Sequence, residues 1–169
     1  MKIRQFLLFF VVVMSCLTVS CTPARSNTGY LASGGRGEVE GEMSGIVAFR
    51  AVIEIGVGGS PVRVEYLAPA SLCGLVLVAE GERCEVSLGA VRYACDVSEI
   101  EGLLRPVSSF LPQEEAKSVQ RIGENTALSF ASGGTLTLSP KGAPLSFSGE
   151  EFNVRVVWWQ SGNKGESSS

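Results

Sequence analysis

The chain has 169 residues, 45% of them hydrophobic and 18% charged, with a net charge of −3 and no histidine. Without imidazole there is no Ser/His or Cys/His nucleophile pair and none of the commonest metal ligand, so no enzyme, metal or cofactor is expected. The acidic balance offers no basic face to nucleic acid.

At the start, Lys2 and Arg4 precede an apolar run from Phe6 to Met14, and small residues then lead to Cys21. That is the three-part layout of a signal peptide. A run of about nine residues, or about fourteen if carried to Val19, falls short of the roughly 20 that cross a bilayer as a helix. Leu17-Thr18-Val19-Ser20-Cys21 reads as a lipobox, whose cysteine becomes the first mature residue and carries a diacylglycerol on its thiol. Val13-Met14-Ser15-Cys16 is a second candidate with a shorter apolar core. The expectation is a signal over residues 1–20, lipidation at Cys21, and a protein held by its lipid at the extracytoplasmic face of the cell membrane. Each buried methylene of such an anchor contributes about 0.8 kcal/mol.

From Thr22 to Glu42 the sequence is rich in Ser, Gly and Thr and lacks apolar periodicity, which predicts a flexible tether over 21–42. A single domain over 43–160 and a disordered tail over 161–169 follow. Ser33-Gly34-Gly35-Arg36-Gly37 falls in the tether and Gly56-Val57-Gly58-Gly59 in a turn, since neither leads from a strand into a helix as a phosphate-cradling loop must.

Within the domain the dominant signal has period two, which places alternate side chains on opposite faces of a strand. Phe49, Ala51, Ile53 and Ile55 form one such set, and Val62, Val64 and Tyr66 the next, with Arg63 and Glu65 facing away. A turn near Gly81-Glu82 pairs Leu75–Ala79 with Cys84–Leu88, and a two-residue turn at Gly89-Ala90 pairs Leu88 with Val91. Counting back sets Val86 opposite Tyr93 and Cys84 opposite Cys95. That register makes Cys84 and Cys95 the sensible disulfide pair in an exported protein, with two free thiols as the alternative.

Helical spacing appears in the middle, where Ser98 and Glu101 suit a capping box and Ile100, Leu103, Leu104 and Val107 make an apolar stripe. Pro106 should kink or end this helix, and a second short helix is expected from Pro112 to about Ser118. Further strands hold Leu128 and Phe130, then Leu136 and Leu138, then Leu145 and Phe147. The last strand holds Phe152, Val154, Val156 and Trp158 on its inner face, leaving Trp159 outward, where it caps a sheet edge by ordinary packing or, as the alternative, touches lipid or a partner. The fold class that results is α+β, an antiparallel sheet of about eight to ten strands with one or two central helices covering its apolar face.

Ala68-Pro69-Ala70-Ser71-Leu72-Cys73-Gly74-Leu75 joins an early strand to a hairpin. A late run passes from Leu136-Thr137-Leu138 through Gly142-Ala143-Pro144-Leu145 to Phe152-Asn153-Val154. Over residues 43–160 this order of elements resembles the LolA/LolB-like superfamily, particularly its lipoproteins in Clostridia and related Gram-positive bacteria. The resemblance implies an incomplete antiparallel barrel, a strongly curved sheet whose concave face is covered by helices, with room for acyl chains. Understood members ferry or accept lipoproteins, and a related branch senses envelope stress through protein contacts.

Two functions are therefore expected to compete: binding of a lipid or other apolar ligand between sheet and helices, and a structural or regulatory role through an envelope protein partner with no ligand cavity. The residues expected to line a cavity are Phe49, Ile53, Tyr66, Leu77, Val86 and Tyr93 from the first strands and Leu103 and Leu104 from the helix. Phe130, Phe147 and Trp158 complete the set.

Overall fold

The computed structural model describes residues 29–43, 46–150 and 152–162. The signal over 1–20, Cys21 and most of the tail lie outside them. Eleven strands of the described residues form one antiparallel sheet, which is open. They are β1 Gly35–Met43, β2 Ile46–Ile55, β3 Val62–Ala68, β4 Leu75–Glu80, β5 Arg83–Leu88, β6 Val91–Asp96, β7 Ser118–Ile122, β8 Asn125–Ser129, β9 Thr135–Leu138, β10 Pro144–Ser148 and β11 Phe152–Ser161. Helix α1 spans Gly29–Ser33 and α2 spans Glu101–Ser108. The strand order is β6-β5-β4-β3-β2-β1-β11-β10-β9-β8-β7, so α2 lies in the chain between the two edge strands. This is the expected α+β incomplete barrel.

The tether reading is corrected for residues 29–42. Nine of the described residues there and at Met43 form β1, which pairs with β2 on one side and β11 on the other and is the central strand of the sheet. Its sequence, GRGEVEGEM, hides its period because Gly35, Gly37 and Gly41 occupy one face and Val39 supplies the only large apolar side chain among them. Glycine here marks close approach of a neighbour. A Cβ on Gly41 would fall 2.2 Å from the Asn153 carbonyl oxygen and 2.9 Å from the Phe49 ring.

The hairpin register holds throughout: Leu77 faces Val86, Val86 faces Tyr93 and Cys84 faces Cys95. Both cysteines are present as thiols. Burial of Cys84 pushes its thiol pKa up, and the neighbouring Cys95 adds to the shift.

Helix α2 buries Leu104 and Val107, with Ile100 and Leu103 packed beside them, as its stripe requires. It ends at Ser108, two residues beyond Pro106. The cap sits two residues earlier than Ser98 and Glu101 suggest: Glu99 accepts a hydrogen bond from the Asp96 N–H at 3.2 Å, closing a 3-10 turn over Val97–Glu99. The helix expected from Pro112 to Ser118 is absent. So short a segment gains too few bonds to repay nucleation, and Lys117 instead donates its N–H to Ser129 at 2.8 Å, leading into edge strand β7.

The two tryptophans exchange faces. Glu38 pairs with Trp158 but Val39 pairs with Val156, so Val157 is an extra residue on β11. Such a bulge reverses the alternation beyond it. Phe152 and Val154 point inward, but after the bulge it is Trp159 that packs against the core while Trp158 is 41% exposed on the outer face.

Candidate ligand site

The inner face is built from β2, β3 and β4, whose alternate residues Phe49, Ile53, Tyr66 and Leu77 are all 2% exposed or less. Phe49 stacks on Phe152 at 5.6 Å between ring centroids and meets Tyr66 edge-on at 6.4 Å. Tyr66 donates its hydroxyl proton to the Leu103 carbonyl of α2 at 2.8 Å, which ties the helix to the sheet. Burial pushes the Tyr66 pKa up to about 12, so the hydroxyl remains a donor at physiological pH. Leu104 and Phe130 join this core, and Val86, Leu103 and Phe147 pack at its margin.

Two large aromatic residues of the core carried no sequence signal. Tyr30 lies in the segment read as tether and Phe110 in the irregular stretch after α2; each is at most 2% exposed, and Tyr30 donates its hydroxyl to the Phe110 carbonyl. Burial raises the Tyr30 pKa. The centre of the concave face is thus filled, by Tyr30, Tyr66, Phe110 and Leu77 above all.

The cover ends before the apolar face does. Along β4–β6 the Ala79–Cys84–Cys95 row is sheltered, with Cys84 3% exposed. The next row reaches Tyr93 at 60%, and the last holds Leu88 at 53% and Val91 at 71%. Beside α2, a cleft of about 470 Å³ opens between the helix residues Glu101, Arg105 and Ser108 and Gly134 of the turn before β9, Phe147 of β10 and Phe152 of β11. Phe147 and Phe152 are its apolar residues, and Glu101, Arg105, Ser108, Ser109, Ser132 and Glu150 make the rest of its lining largely polar. Of the eleven residues expected to line a cavity, only Phe147 reaches this cleft, while Val86 and Tyr93 reach the open rows. Trp158 is corrected: it lies on the outer face, its indole N–H donating to Glu38 at 3.1 Å.

A groove of about 540 Å³ is lined by Glu40, Arg50, Asn153 and Arg155 together with the apolar Phe49, Phe147 and Val154, so Phe49 and Phe147 of the expected cavity set reach it. Its guanidinium groups are already engaged, Arg50 with Glu38 and Arg155 with Glu40. Among the described residues no group of His, Cys, Asp and Glu is placed to hold a metal ion, and no helix is long and apolar enough to cross a membrane.

Glu38, 9% exposed, is the buried charge of this face. The Arg50 hydrogen bond and the indole of Trp158 hold its carboxyl below the usual range against the opposing effect of burial. A depressed folded-state pKa stabilises the fold above the unfolded value and loses that contribution as pH falls through the folded one. Stability should therefore decline as pH is lowered below about 4.5. In urea titrations at stepped pH, Glu38→Gln should be less stable at pH 7 and should decline less steeply in acid; an unchanged slope would contradict this.

A solved structure shares this architecture. A crystal structure of an uncharacterized conserved protein from Thermus thermophilus superposes with a TM-score of 0.53 at 18% identity, covering 83% of this chain and 86% of that one. At that identity the likeness shows the fold alone. A LolA superfamily protein from Nitrosomonas europaea aligns with a TM-score of 0.41 at 9% identity, covering 85% of this chain and 95% of its own. No family model and no curated protein sequence matches the chain.

Proposed function

We propose that this is a non-enzymatic, membrane-anchored extracytoplasmic lipoprotein whose domain binds the acyl chain of a lipid, or a comparable apolar ligand, against the concave face beside α2. One observation carries the reading: the apolar inner face extends past its cover. It runs to Tyr93, Leu88 and Val91 on β5 and β6 and, beside α2, to Phe147 and Phe152 at the apolar part of a 470 Å³ cleft whose rim is polar, with Glu101, Arg105 and Glu150. A volume above about 300 Å³ is in the range of small-molecule sites. The lipid anchor at Cys21 would keep the domain where such ligands reside and needs no cofactor.

The filled centre of the concave face, with Tyr66 and Leu77 at 0% exposure, favours a second reading, a structural or regulatory lipoprotein acting through an envelope protein. Native mass spectrometry of residues 21–169 carrying Cys21→Ala, purified from a bacterial host, separates the two. Copurified lipid at one equivalent is expected; its reproducible absence would leave the second reading.

A further inference from the structure

We infer that the end of the domain formed by α1, the 55–62 loop and the close of β11 is a surface that rests on a lipid bilayer, so that the β5–β6 turn points away from it. The inference rests on the lipid anchor proposed at Cys21.

Only eight residue steps separate Cys21 from Gly29, the first residue of α1. A fully extended chain of that length reaches at most about 29 Å. The ten-residue strands β2 and β11 are each about 33 Å long. The leash is therefore shorter than the domain, and the opposite end cannot be lowered to the bilayer with the domain upright. Bringing α1 near costs little chain entropy, whereas holding it at full stretch costs much more.

The composition of this end fits that placement. Residues 29–35, 55–62 and 156–162 contain no charged side chain, in a chain that is 18% charged. The fold gathers these segments: Gly162 donates its N–H to the Gly34 carbonyl at 3.0 Å, and Tyr30 meets the Trp159 ring edge-on at 5.9 Å. A Cβ on Gly34 would fall 2.7 Å from the Ile55 carbonyl oxygen, so the chain backbones are in close contact. At the tip, Val57 is 71% exposed between glycines. An uncharged surface loses no charge hydration when it meets the interface, and an exposed valine gains by entering it. Charges resume one step inward, at Arg36 and Glu54, and at the acidic β4–β5 turn farther round the rim.

The test is hydrogen exchange on residues 21–169 carrying Cys73→Ser, which removes the exposed thiol, coupled through Cys21 to a maleimide phospholipid. The coupled protein is compared on vesicles of phosphatidylcholine and phosphatidylglycerol and free in solution. Amides of 56–60 should exchange at least threefold more slowly on vesicles, with 88–91 unchanged, and Val57→Asp should reverse most of that protection. Protection at 88–91 in place of 56–60, or at neither, would overturn the inference. Intact mass of the membrane fraction from the producing cell tests the anchor separately: a Cys21 without diacylglycerol sinks that reading whatever the exchange pattern shows.

Discussion

A chain beginning at residue 44 should not fold, whereas one beginning at residue 29 should unfold cooperatively. The shorter chain loses β1, and with it the ladders to both β2 and β11. Its sheet would be split into a β2–β6 meander and a β7–β11 meander with newly exposed edges, an arrangement that invites aggregation. Tyr30, which is 2% exposed and bonded to Phe110, is lost as well. Circular dichroism and a urea titration decide the matter: a cooperative transition in the 44–169 chain would refute the central place of β1.

Trp159→Ala should cost about 3–5 kcal/mol, the range for removing a large aromatic from a core, out of a total stability of roughly 5–15 kcal/mol. The indole is seated by the absence of side chains on β1. A Cβ on Gly35 would stand 2.4 Å from its Cζ2 and one on Gly37 2.7 Å from its Cε3. Gly37→Ala should thus cost about 1–3 kcal/mol by overpacking. Trp159→Phe should lose much less than Trp159→Ala, because it keeps a ring in the seat and removes a buried indole N–H that has no hydrogen-bond partner. Thermal unfolding of the variants reads these differences, and a Trp159→Ala protein as stable as the parent would show that the seat is unimportant.

These residues also mark where reading the sequence succeeded and failed. The β4–β6 segment was legible down to individual pairs because hairpin turns are local: Gly89-Ala90 fixes Leu88 against Val91, and the pleat carries the register back to Cys84 and Cys95. The α2 stripe was legible for the same reason. The central strand was not, because its small residues are explained by neighbours distant in sequence, Trp159 above all. The Pro112–Ser118 helix failed because weak local preference yielded to pairing with β8.

The candidate site divides in the same way. Phe49, Ile53, Tyr66 and Leu77 were correctly placed on one apolar face, but face does not specify cover. The structure fills the middle of that face and leaves Tyr93 exposed at its edge. Phe152 was placed on the inner face without being assigned to a cavity, and it walls the cleft.

By itself, then, the sequence determined the class of fold, the β4–β6 hairpin registers and the inward side of the strands that alternation marks, up to Val156, because alternation and turn chemistry act over a few residues. Tertiary structure decided that residues 35–43 form the middle of the sheet, which of two adjacent tryptophans is inside, and where the apolar face is left open. Each depends on an event between distant segments: a glycine strand accepting an indole, a single bulge at Val157, and one short helix set across a sheet wider than itself.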